Sequence, residues 1–158
     1  MNSFESLIAD FSAKTGLNLV PDERQGCFLE TDGLIVTIQY RQEADDVVIF
    51  APVTDPDSGT TLTKAMYEKA LSLSYDGKGT SGASLGLVAG NLILSVHLPM
   101  QGLDADSFGV KLSLFADAAV SVKAEIAAAA AADDGGEGGL GGSEANVLKG
   151  NLSQFLRI

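Results

Sequence analysis

Residues 26–53, GCFLETDGLIVTIQYRQEADDVVIFAPV, constrain the fold more than any other stretch. Three short apolar runs are separated by two polar turns. Thr31-Asp32-Gly33 closes the first turn and Gln42-Glu43-Ala44-Asp45-Asp46 closes the second. Asp-Gly between apolar runs is a hairpin signal, because both turn residues tolerate positive φ. The pattern predicts three antiparallel strands, 26–31, 34–41 and 46–53. Side chains alternate along a strand. Leu34, Val36, Ile38 and Tyr40 therefore share one face of the middle strand, and Ile35, Thr37, Gln39 and Arg41 share the other. The third strand is apolar on both faces, with Val47, Ile49 and Ala51 opposing Val48 and Phe50. A meander usually wets one face. The half-apolar second face here calls for a cover other than the chain's own helices.

The flanking segments read as helices. Phe4, Leu7, Ile8 and Phe11 follow i, i+3, i+4, i+7, which predicts a helix over 3–15. Asn2 or Ser3 can cap its start, and Gly16 sits where a left-handed end cap belongs. A second helix is predicted over 61–75, with one stripe of Leu62, Ala65, Met66, Lys69, Ala70 and Leu73 and another of Tyr67, Leu71 and Tyr75. Two stripes call for two neighbours, the sheet and a second surface. Strands at 84–88 and 92–98 form a hairpin about Ala89-Gly90-Asn91. A last helix over 104–132 carries the seam Phe108, Leu112, Phe115, Ala119, Val122 and Ile126. Pro52 and Pro56 bound the loop between the third strand and the second helix.

This order, helix, three strands, helix, two strands, helix, predicts an α+β two-layer fold with a twisted antiparallel sheet of about five strands. The domain is expected over 1–132. A Gly-rich flexible linker follows over 133–143, then an apolar segment, 144–158, either docked or without fixed structure.

Chemistry is harder to find. The net charge is −11 and the ten basic residues form no stripe, which argues against nucleic acid. No apolar run is long enough to span a membrane. The start, MNSFESLIADFSAK, lacks the basic and apolar regions of a secretory signal, and the single Cys27 fits a reducing cytoplasm. The glycine-rich stretch 76–84, DGKGTSGAS, has the wrong order for a phosphate loop. His97, the one histidine, reads as a strand or surface residue. The pairs Asp45-Asp46, Asp55/Asp57 and Asp133-Asp134 read as acidic turns. No catalytic constellation, metal set or cofactor signature stands out, so a binding module is expected rather than an enzyme.

The ordered series resembles the type III secretion chaperones of the CesT (Tir chaperone) family over residues 3–132. The resemblance rests on the first helix ending in Gly16-Leu17 and on Val48-Ile49-Phe50-Ala51-Pro52-Val53. It continues through Gly82-Ala83-Ser84-Leu85-Gly86-Leu87, Leu92-Ile93-Leu94-Ser95, Leu98-Pro99 and Gly102-Leu103-Asp104. It implies a cytoplasmic, non-hydrolysing homodimer that holds the extended N-terminal segment of a secreted effector or translocator, with the secretion ATPase as a further partner. Client-binding residues are then expected at Phe4, Leu17, Leu19, Phe28, Ile35 and Phe50. The dimer interface is expected at Met66, Tyr67, Ala70, Leu71, Leu85 and Leu87. A structural or regulatory dimer on the same scaffold, and a small-molecule enzyme with a site hidden in the sheet, are the competing expectations.

Overall fold

The computed structural model describes residues 3–55, 59 and 61–133. The elements are α1 (Ser3–Thr15), β1 (Gly26–Thr31), β2 (Leu34–Arg41), β3 (Asp46–Pro52), α2 (Lys64–Ser74), a 3-10 turn (Tyr75–Gly77), β4 (Ser84–Val88), β5 (Asn91–Pro99) and α3 (Ala105–Asp133). The expected order is observed throughout. All strand pairings are antiparallel, and the sheet runs β1-β2-β3-β5-β4.

Turn chemistry sets the register. Asp32 and Gly33 both take positive φ, as do Ala89 and Gly90, so the β1–β2 and β4–β5 hairpins close on two-residue turns whose twist matches their strands. The Ala89-Gly90 turn is one residue shorter than expected, because Asn91 already belongs to β5. Pro52 and Pro99 are the last residues of β3 and β5, positions where a missing N–H interrupts little of the ladder.

Caps fix the helices. Gly16 (φ +74°) donates its N–H to the Ser12 carbonyl at 2.9 Å and ends α1. Ser3 is the first helical residue rather than a cap. Helix α2 starts later than the apolar pattern predicts, because Thr63 is its cap and accepts the Met66 N–H at 3.3 Å. Its end also comes earlier, since Tyr75 enters the 3-10 turn and Asp76 there has φ +57°. At the start of α3, Asp104 Oδ1 accepts the Ser107 N–H at 2.8 Å. Helix α3 continues through Asp133, and both the rest of the expected linker, 134–143, and the segment 144–158 lie outside the described residues.

The three helices and the inner sheet face make one core. Phe4, Leu7, Ile8 and Phe11 from α1 pack with Leu34, Val36, Ile38, Val47, Ile49, Leu94 and the whole predicted α3 seam. Phe11 and Phe108 meet edge to face at 5.1 Å, and Gly109 lets the two helices approach; a Cβ there would stand 3.1 Å from the Phe11 ring. Burying such side chains contributes about 1.5–3 kcal/mol each.

Candidate functional site

The site begins with the alternation of β2 and β3. Cross-strand partners share a face, so the registers Phe28↔Thr37, Thr37↔Phe50, Gln39↔Val48 and Phe50↔Ser95 assign all these residues to the outer face. Val48, Phe50 and Ile93 form a second buried cluster there, with Val88 against it, and among the described residues no helix residue joins it. The cluster floors a shallow depression of about 160 Å³ rimmed by Gly86, Ser95 and His97. A Cβ on Gly86 would meet nothing within 4 Å. Toward β1 the same face carries two large exposed side chains, Phe28 at 73% and Ile35 at 55% exposure. β1 is itself an edge, paired only with β2 among the described residues. An open edge beside an apolar face can take an added strand and receive its side chains.

A polar corner borders the depression. Arg41 Nε donates to Asp46 Oδ1 at 2.8 Å and Nη2 to Asp46 Oδ2, a two-armed ion pair between directly opposed residues. Arg41 Nη2 also lies 2.9 Å from His97 Nδ1, and His97 Nδ1 lies 3.3 Å from Asp46 Oδ2. The guanidinium holds the Asp46 carboxyl below the ordinary carboxylate value, against an opposing effect of burial. Asp46 is therefore a strand residue in a largely buried ion pair rather than an acidic turn. The corner orders the end of the sheet and brings no nucleophile to a base. Among the described residues, no group of three His, Cys, Asp or Glu stands close enough to hold a metal.

Two further surfaces are apolar. Phe11, Ala105, Gly109, Val110 and Leu114 line an open groove of about 450 Å³ between α1 and α3, crossed at one end by the Lys14–Asp106 ion pair at 2.7 Å. On α2, Leu71 is 74% exposed and Tyr75 stands clear of the core, with Leu87 of β4 also exposed.

The structure separates the expected site residues into three groups. Phe28, Ile35 and Leu17 are exposed, and Phe50 lies buried in the floor of the outer depression. Phe4 is a correction: it is fully buried and stacks on Tyr40 at 5.4 Å, so it belongs to the core and offers no client surface. Leu19 is half-buried against the core and held by its N–H to Ser12 Oγ. Met66 and Ala70 are likewise core residues, because they occupy the buried face of α2. Leu85 points to the inner face and packs half-buried on the core. Tyr67 is half-buried, while Leu71 and Leu87 remain open. Sequence reasoning missed Ile93 and the Arg41–Asp46–His97 corner. The alternation of β5 alone carries Ile93 as one apolar residue among several, and Asp46 meets His97 only through the β3–β5 register.

The sequence profile of the Tir chaperone protein (CesT) family matches residues 6–123, which takes in every element from α1 through most of α3. The chain belongs to the CesT family. No curated protein matches this sequence significantly. Solved structures share the fold. A chain of the HopA1–SchA chaperone–effector complex superposes with TM-score 0.63 at 14% identity, covering 77% of this chain and 93% of that one. A chain of the ExsC–ExsE complex gives TM-score 0.60 at 22% identity, covering 73% and 86%. A chain of the Yersinia pestis type III secretion chaperone SycH in complex with a stable fragment of YscM2 gives 0.57 at 17%, covering 75% and 98%. At these identities the likeness shows the fold alone.

Proposed function

We propose that this chain is a type III secretion chaperone that acts by binding, not by catalysis. It works in the cytoplasm as a homodimer and holds the extended N-terminal segment of a secreted effector or translocator. The observation that carries this reading is the outer sheet face. Phe28 and Ile35 are exposed at the open β1 edge, on the same face as the apolar floor of Val48, Phe50 and Ile93 on β3 and β5, and among the described residues no helix residue packs into that floor. An extended client lays alternate apolar side chains on this face while its backbone pairs with β1. Membership of the CesT family supports the reading, and so do the complexes of the fold neighbours, one of them described as chaperone–effector.

The dimer is proposed at α2, the 3-10 turn after it and β4, where Leu71, Tyr75 and Leu87 are exposed and Tyr67 is half-buried. A large apolar patch of this kind on a monomer marks an interface. Co-expression with the N-terminal segment of a neighbouring secreted protein is the test. Co-purification at two chaperone chains per client is expected, and failure with every such neighbour favours a structural dimer without secretion clients.

A further inference from the structure

Resting on that reading of the outer face, we infer that this chain's own residues 144–158 dock on Phe28 and Ile35 and compete there with the client. The geometry of α3 carries the inference. Lys123 Nζ donates to the Gly33 carbonyl at 3.4 Å, which places α3 beside the β1–β2 turn. Ile126 is buried and Ala130 packs on the core, so the helix keeps to the domain through its last turns. Asp133 then lies about 15 Å along the axis beyond Lys123, at 1.5 Å per residue. Ile35 follows Gly33 by two positions and points to the outer face. Ten residues, 134–143, connect Asp133 to the segment. A glycine-rich chain of that length spans about 17 Å as a coil and about 33 Å at full extension, enough to round the hairpin end.

Composition selects this occupant. Leu148, Leu152 and Phe155 are spaced by four and three, so one face of a helical turn presents all of them. Residues 144–158 contain Lys149 and Arg157 against the single Glu144, while the rest of the chain carries the other 20 acidic residues and the other eight basic ones. The landing area is acidic as well as apolar. Glu30 is the cross-strand partner of Ile35 on the outer face, and Asp32 sits in the adjacent turn. An apolar, basic segment tethered within reach of an apolar, acidic face meets both its requirements.

The test compares amide ¹H–¹⁵N spectra of the full chain with those of a Leu148→Ser, Leu152→Ser, Phe155→Ser variant, without client. Docking predicts shift changes at Phe28, Glu30, Ile35 and Thr37, the same at all protein concentrations. The reciprocal Phe28→Ser, Ile35→Ser variant is expected to move the resonances of Leu148, Leu152 and Phe155. Unchanged spectra, changes confined to the α1–α3 groove, or changes that grow with concentration and so belong to a second copy each overturn the proposal. With client added, the triple variant is expected to bind several-fold tighter than the full chain, and equal affinity overturns the competition. Absence of client binding in both forms counts against the chaperone reading and leaves the spectral comparison intact, so the two failures are distinguishable.

Discussion

Arg41 and Asp46 stand directly opposite each other at the turn end of the β2–β3 hairpin and share a two-armed ion pair. Asp46 is 9% exposed. Its carboxylate neutralises the guanidinium and ties the start of β3 to β2, while His97 of β5 completes the corner. Asp46→Asn keeps the shape but leaves the largely buried guanidinium facing a neutral amide. The expected cost is about 1–3 kcal/mol in urea unfolding.

The pH dependence of that cost follows from the direction of the shift. The folded Asp46 carboxyl titrates below its ordinary value of 3.8, held down by the Arg41 hydrogen bonds. Its contribution is therefore complete above 3.8 and is lost as pH falls through the lower folded value. A His97→Gln background removes the imidazole from the corner. In that background the stability difference caused by Asp46→Asn is expected to stay constant down to 3.8 and to close below it. A difference that already closes near neutral pH contradicts the assignment.

Burial pushes the Cys27 thiol up to about 11. The thiolate is the reactive species, so native protein at neutral pH is expected to resist iodoacetamide and to react only as urea opens the domain. Labelling rates measured across a urea series then follow the unfolding curve. Rapid stoichiometric labelling of the native protein contradicts a buried β1 thiol.

Helix α2 allows core and interface to be told apart by one pair of substitutions. Met66→Ala empties a core position and is expected to cost about 2–5 kcal/mol, with no direct effect on association. Leu71→Asp alters an exposed position, leaves stability of the chain within about 0.5 kcal/mol once dissociated, and is expected to convert dimer to monomer in sedimentation velocity. Sedimentation of the unaltered protein as a monomer contradicts the dimer.

Much of the fold is legible in the sequence because local signals agree with the tertiary outcome. The Asp32-Gly33 turn, the α3 seam and the Gly16 cap each act over a few residues, and each is where its chemistry places it. The apolar pattern makes α2 too long, because Leu62 belongs to that pattern while Thr63 provides the cap. The candidate site is less legible. Phe4 and Phe28 are both aromatic residues of amphipathic segments, and nothing local separates the one stacked on Tyr40 from the one left open. Met66 and Leu71 differ only by their angle on one helix, and the core lies on the side of Met66. The polar corner needs the β3–β5 register, since Asp46 and His97 are 51 residues apart.

Gly86 offers a direct probe of the outer depression. A Cβ there has open space, so Gly86→Val fills part of the depression with little strain in β4. Stability is expected to hold or rise slightly, since valine favours a strand, while client affinity falls.

The most direct measurement is client capture by a Phe28→Ser, Ile35→Ser protein. Both side chains are exposed, so the unfolding midpoint is expected to stay close to that of the unaltered chain. Co-expressed with the N-terminal segment of its secreted client, the variant is predicted to remain soluble and dimeric and to lose the client on purification. Retention of the client at unchanged affinity by this folded variant would contradict the assignment of the outer sheet face as the binding surface.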